Sequence, residues 1–403
     1  MENAPRATEC GIALIGQQFM GRAHSNAWGQ ASRFFSTPLT PVLRTLAARD
    51  EASLRDFAPK WGWQSWTTDW RSLANDDRVQ LVDVATPNDA HAEQAIAMLE
   101  AGKHVACEKP LARSLAEARA MLEVAVRAAQ ASPAPQRTFV WFNYRRCPAV
   151  ALAHKLVREG ALGRLAHVRA TYLQSWGGAQ TPMSWRFEKK RAGSGAHGDL
   201  NAHLIDLTRF ITGEEITDIH GAIAKTFITE RAEAMPSNVL QGSKPRTSSV
   251  DVDDAMLFLA SLTGGGIASF EATRVAAGRL NANTIEINGE RASLRFEFED
   301  MNVLHFYEGG KMGGAPRTDG WRRIMCTRAG AHPYAANWWP DGHVIGYEHG
   351  FINMAADILR TLGGEQPELP LPDFRDGYEV QRVLEAAMLA AQNRCAVPLA
   401  EVM

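Results

Sequence analysis

The sequence predicts a two-part α/β protein: a doubly wound parallel sheet, then an α/β region built on a large, mostly antiparallel open sheet. Three observations carry this. Short apolar runs alternate with helical patterns through the first third, and such alternation implies parallel strands joined by crossover helices. The first run leads into a glycine turn, Gly16 to Gly21. The second half trades that alternation for closely spaced β-rich runs, as antiparallel sheets do. The chain of 403 residues is long enough for two cores.

Ile12–Ile15 is the first strand, with a helix from near Gly21. Pro41–Ala47 is the second strand. A helix follows over Glu51–Trp61, which Pro59 should end or kink. Leu81–Ala85 is the third strand, closed by the turn Thr86-Pro87-Asn88. His91–Ala101 is a helix ended by Gly102, and Lys103–Cys107 a short strand. Ser114 and Glu117 form a capping box opening a helix to about Gln130. Phe139–Phe142 completes the first sheet. The boundary falls near Asn143, giving a dinucleotide-binding part, 1–142, and a substrate-binding part, 143–403.

The second part has one strong helix, Asp199–Ile211. Strand-like runs are Leu165–Leu173, Ala255–Leu262, Gly266–Thr273, Thr284–Asn288 and Ala292–Phe298. Arg231–Val250 and Gly309–Ala331 read as loops, and Asp376–Gln392 as a final helix.

Composition excludes several classes. Net charge is −2 with no long basic run, which argues against nucleic acid. No apolar run approaches the roughly 18 residues of a membrane span. The first ten residues lack the pattern of a secretory signal, so a cytoplasmic protein is expected. Five scattered cysteines suit neither a disulfide framework nor a structural zinc site. Eleven tryptophans exceed what needs comment as core alone, since an indole face is also a platform for a sugar ring.

The opening turn matches G-x-G-x-x-G at Gly16 and Gly21, with Gln18 where the middle glycine would be and Phe19 and Met20 following. Strand before and helix after are the right context for a pyrophosphate on a helix N-terminus. Where an acid should bind the adenine ribose stands Ala48, followed by Arg49 and Asp50. Arg49 suits a 2′-phosphate and NADP; Asp50 suits a ribose diol and NAD. Both residues are equally the solvated start of a helix.

Asp199 and His203 are four apart on a helix, with Asp206 a turn beyond. A histidine beside carboxylates suits a general base for an alcohol proton. The residues alone are equally compatible with a histidine satisfied in a buried helix or with a metal cluster.

Three stretches in this order carry a family resemblance: ATPNDAH (85–91), ACEKPLA (106–112) and GDLNAHLID (198–206). With FMGRAHSNAW near the start and FNYRRCPA near residue 142, the chain resembles the glucose–fructose oxidoreductase / inositol dehydrogenase / MocA family over nearly its whole length. The resemblance implies a Rossmann domain, NAD or NADP, a sugar or cyclitol substrate, and oligomers formed through the open sheet, here a homodimer or homotetramer. It implies a cis Lys109–Pro110 bond and Glu108 at the nicotinamide ribose. It makes Lys109, Asp199 and His203 the catalytic set, with Lys109 stabilising developing oxyanion charge and Asp199 orienting substrate and histidine. No metal is implied. Two further departures from the family pattern are Asn201, where glycine is usual, and His197, where a small residue is common; both are expected to reshape the sugar pocket.

Thr86, Asn88 and His91 sit at the carboxyl edge of the sheet and are expected at the cofactor. Asn143, Tyr144, Arg145, Trp185 and Arg186 combine aromatic faces and donors suited to a hydroxylated ring, or equally to packing between the two parts. Trp176, Trp338, Trp339, His343 and His349 are weaker candidates. Trp61, Trp63, Trp66 and Trp70 read as structural, and His24 as a satisfied helix histidine. The leading expectation is a dehydrogenase of a pyranose, anhydrosugar or glycoside hydroxyl, in the branch that acts on levoglucosan-like sugars. A glycoside hydrolase working by transient oxidation on retained NAD, a non-catalytic dinucleotide sensor and a metal-dependent isomerase are the alternatives.

Overall fold

A computed structural model describes residues 8–131, 135–233, 246–309 and 320–402. The first sheet has strands β1 (Thr8–Ile15), β2 (Leu39–Ala47), β3 (Ser65–Thr67), β4 (Leu81–Val84), β5 (His104–Cys107) and β6 (Thr138–Val140). All its neighbours pair in parallel, in the order β3-β2-β1-β4-β5-β6. The crossovers are α1 (Phe19–Phe34), α2 (Glu51–Lys60), α3 (His91–Glu100) and α4 (Leu115–Ala128). Ile12 to Ile15 are buried on both faces, as parallel strands between helix layers must be. The order reverses between β1 and β4, so a crevice opens at their carboxyl ends. Register then sets a row along that edge: Gly16 bonds to Ala47, Ala85 to Ile15, Glu108 to Val84 and Trp141 to Cys107, each 2.9 Å.

The chain leaves this sheet through the turn Asn143–Arg146 and α5 (Pro148–Arg158). Next come β7 (Leu165–Leu173), the short α6 (Lys189–Ala192), a π turn at His197–Asn201 and α7 (Ala202–Thr212). Then follow β8 (Ile216–Lys225), β9 (Glu230–Ala232), β10 (Thr247–Ser249), β11 (Ala255–Leu262), β12 (Ile267–Thr273), β13 (Ala282–Gly289), β14 (Ala292–Glu297), β15 (Val303–Glu308) and β16 (Arg322–Met325). The chain closes with α8 (Ala335–Trp338), α9 (Tyr347–Leu362), α10 (Phe374–Asn393) and β17 (Val397–Pro398). The second sheet has nine strands in the order β16-β15-β14-β13-β7-β12-β11-β8-β17. Among the described residues, β7 and β12 are the one parallel pair of this sheet. Alternate residues of β11 to β14 are buried. The opposite face carries exposed Ile223, Leu257, Leu259 and Ile267.

Several elements differ from expectation. Helix α1 begins at Phe19, two residues early. Helix α2 does end just after Pro59, at Lys60, as expected. Of the capping box at α4, Ser114 accepts from the Glu117 amide, but the Glu117 carboxylate turns to Arg113. The expected loop at 231–250 holds strands β9 and β10, and that at 309–331 holds β16; their residues 234–245 and 310–319 lie outside the described residues. Helix α9 was not expected at all. It packs on α1, and α10 packs on α4, so both return to cover the first sheet. Fully buried Arg146 ties the crossover turn to α9 through Asp357 (3.1 Å). Among the described residues no helix is long and apolar enough to cross a membrane.

Candidate active site

The turn after β1 is shaped by its two glycines. Gly16 has φ +122°, and a Cβ there would lie 2.5 Å from the Ala85 carbonyl oxygen. A Cβ on Gly21 would lie 2.4 Å from the Gly16 carbonyl oxygen. Gln18 precedes α1, exposed, and its side chain caps nothing. The first-turn amides of α1 therefore face outward without a side-chain cap or an acidic residue. An anion fits there, and the missing middle glycine does not close the turn.

At the end of β2, Asp50 is committed to capping α2, accepting from the Ser53 amide at 3.2 Å. Arg49 is exposed. Three residues expected at the cofactor are engaged otherwise. Thr86 donates to Gln94 (2.8 Å) and Asn88 to the Ala192 carbonyl (2.9 Å). His91 is fully enclosed between the carbonyls of Thr86 (2.9 Å) and Pro110 (3.1 Å). It braces the turn carrying Lys109.

Below that turn lies a pocket of about 460 Å³. Phe19, Met20, Glu108, Lys109, Asn143, Tyr144, Arg186, Asp199 and His203 line it, as expected. Tyr172, Gln174, Asn281, Phe298, Tyr347 and Phe351 line it as well and were missed; Trp176, a weaker candidate, also belongs. Arg145 and Trp185 do not. Arg145 is buried against Asp206 (3.0 and 3.1 Å) and lies over Phe210. Trp185 stacks under the Arg186 guanidinium, 4.3 Å from ring centre to Cζ. A second cavity, of about 480 Å³, is walled by Arg209, Asp376 and Arg382, whose charges are already paired with one another or with neighbours.

The catalytic candidates converge. The Lys109–Pro110 bond is cis. Lys109 Nζ meets Asp199 Oδ1 at 2.8 Å, and Arg274 reaches Oδ2 at 3.1 Å. Burial opposes charge on Asp199, but Lys109, Arg274 and Arg186 outweigh it and hold the carboxyl well below its usual range. Each Asp199 oxygen thus faces a cation, and no direct hydrogen bond joins Asp199 to His203. The geometric reason is the π turn: the two residues do not lie on one regular helix. His203 stacks on Tyr144, centroids 4.4 Å apart. Burial, and then Lys109, push its pKa well below the usual histidine value. It is neutral at pH 7.

The π turn is anchored by Asp253, which accepts from the amides of Gly195 (2.7 Å) and His197 (2.8 Å). Asn201 and His197 prove to be partners. Asn201 donates to His197 Nδ1 (3.0 Å), whose Nε2 donates to the Leu384 carbonyl (2.9 Å). Both are fully buried, so the two departures compensate each other behind the pocket and do not line it. Asp206, taken up by Arg145, cannot complete a metal cluster with Asp199 and His203. Among the described residues no three such side chains gather around a cation site.

Residues 10–131 match the model of the oxidoreductase family with an NAD-binding Rossmann fold, and residues 150–295 that of the GFO/IDH/MocA C-terminal domain. The chain belongs to the GFO/IDH/MocA oxidoreductase family. It is 38% identical to levoglucosan dehydrogenase of Pseudarthrobacter phenanthrenivorans, covering 97% of this chain and 98% of that one. Among solved structures, an oxidoreductase domain protein from Kribbella flavida is 50% identical with TM-score 0.89, over 97% and 99% of the two chains. A levoglucosan dehydrogenase complex with NADH and levoglucosan is 38% identical with TM-score 0.87, over 97% and 100%. As a GFO/IDH/MocA member this chain is an NAD(P)-dependent dehydrogenase.

Proposed function

We propose that this GFO/IDH/MocA enzyme oxidises a ring hydroxyl of a pyranose, anhydrosugar or glycoside, with His203 as the acid/base and Lys109 as the oxyanion stabiliser. The observation that carries this is the neutral, pocket-facing His203 beside a Lys109–Asp199–Arg274 cluster, beneath an open helix N-terminus. The resemblance to levoglucosan dehydrogenase over the full chain supports the substrate class.

The bound dinucleotide supplies the hydride acceptor. The chain's residues do the rest. Outward amides of α1 would hold the pyrophosphate, and Glu108 would face the nicotinamide end. Tyr172, Gln174 and Asn281 form a hydrogen-bonded row, with Tyr172 and Gln174 each donating to the Asn281 side-chain oxygen at 2.7 Å. That row presents polar groups to the sugar hydroxyls. Trp176 and Arg186 wall the sugar. His203 takes the hydroxyl proton as the C–H bond breaks. The Lys109 ammonium draws negative charge onto the reacting oxygen, and Asp199 fixes that ammonium. The apolar outer face of the second sheet fits a second copy of the chain, as a homodimer or homotetramer.

The test is cofactor reduction by the purified protein with NAD⁺ and NADP⁺ against levoglucosan, glucosides, aldoses and inositols. Sugar-dependent reduction, abolished in Lys109→Ala, is the expected result. Release of sugar from glycosides without added NAD would favour the retained-cofactor hydrolase instead.

A further inference from the structure

A buried ionic cluster lies at the back of the pocket, and of its members only Glu108 enters the reading above. His24, on α1, has no exposed surface. Its Nδ1 lies 3.0 Å from both oxygens of Asp83, and its Nε2 lies 3.0 Å from Glu108 Oε1. Asp83 also accepts from the indole N–H groups of Trp28 (2.7 Å) and Trp141 (2.8 Å). The imidazole packs on Trp141 and Phe351. With two indole donors already on Asp83 and carboxylate oxygens at both ring nitrogens, two ionised acids can complete these bonds only if both nitrogens carry protons. His24 is then a cation between two carboxylates. Neutral, it would leave both buried acids uncompensated.

Glu108 is gripped on its other side too, where Oε2 accepts from the Lys109 amide at 3.1 Å. Next to it, the Lys109 ammonium goes to Asp199 and not to Glu108. A Glu108 carboxylate free to turn would compete for that ammonium.

We infer that His24 is a positioning residue, whose buried imidazolium clamps Glu108 so that its carboxylate faces the nicotinamide ribose and stays off Lys109. The helix that receives the phosphates thereby also sets the acceptor at the far end of the cofactor. The inference rests on the reading that Glu108 faces the cofactor.

The experiment compares His24→Gln, Glu108→Gln and the double variant in the full-length protein. It reads dissociation constants for NADH and NADPH from the fluorescence of the reduced cofactor, and kcat against KM for the sugar. Each single change should weaken binding of the preferred dinucleotide about tenfold. The double variant should be no weaker than either, because both break one interaction. Glu108→Gln at the wild-type constant would overturn the reading of Glu108. A weakened Glu108→Gln with wild-type binding in His24→Gln, or a double variant weakened by the product of the two, would overturn the role of His24 alone. A second measurement needs no variant. In the wild-type protein the downfield Nε2–H proton resonance of His24 should shift when NADH or NADPH is added, while Nδ1–H stays. An Nε2–H resonance unmoved at saturation would also overturn it.

Discussion

His203 illustrates how much a single residue can state. Its identity and spacing from Asp199 were legible because both side chains sit in one short motif, GDLNAHLID. Its environment was not legible. The lowered pKa comes from burial and from Lys109, which is 94 positions away by subtraction. A base must be deprotonated to act, so kcat/KM should be flat across the neutral range from about pH 6.5 and fall in more acidic buffer. His203→Ala should lose about 10²- to 10⁴-fold in kcat while dinucleotide binding changes little; retained turnover would remove His203 from the mechanism. Tyr172 and Asn281 were invisible for a related reason. They meet because β7 and β13 pair, and no local pattern announces that two distant polar residues will share a sheet edge. His24 carries a stability consequence. Burial opposes its charge, but Asp83 first and Glu108 second raise its pKa to about 9 from an ordinary 6.5. The folded protein thus binds a proton the unfolded chain releases. This contribution is full below pH 6.5, declines above it and is lost as pH passes 9, about 3 kcal/mol in all. Urea unfolding midpoints should fall across that window, and fall less in His24→Gln.

At the scale of elements, most of the first sheet was readable because β1, β4, β5 and β6 stand as short, largely buried apolar runs, whereas the half-exposed edge strand β3, SWT, gives no such signal and was not expected. The π turn was not readable either, since its sequence, HGDLN, has ordinary helical spacing. Asp253 anchors the turn by accepting from its first amide, His197, and from Gly195 just ahead of it. Asp253→Ala should therefore move Asp199 relative to Lys109, lowering kcat with little effect on dinucleotide affinity. Equal losses in both would show that Asp253 supports the whole fold and not this turn. Behind the turn, Asn201→Ala leaves the buried His197 Nδ1 without its donor, at a cost of about 1–3 kcal/mol. Denaturant melts should show that loss, with the Michaelis constant for sugar unchanged, because the pair lies behind the pocket wall.

For the whole molecule, the proposed association runs through the open sheet. Leu259 and Ile267 stand 57% and 59% exposed on neighbouring strands, a costly surface for a lone chain. Leu259→Lys with Ile267→Lys should shift light-scattering mass to the monomer; an unchanged mass would place the contact elsewhere. The return of α9 and α10 over the first sheet was not legible. Nothing in a helix's own residues names the distant surface it will cover. That return has a consequence during synthesis. Phe351, on α9, closes over Trp141 and His24, so the nucleotide-binding lobe stays unsealed on the ribosome until more than three hundred residues have emerged. A nascent chain halted before α9 would present bare indole surface and an unshielded charge cluster to chaperones, and competence to hold cofactor would arrive late and all at once.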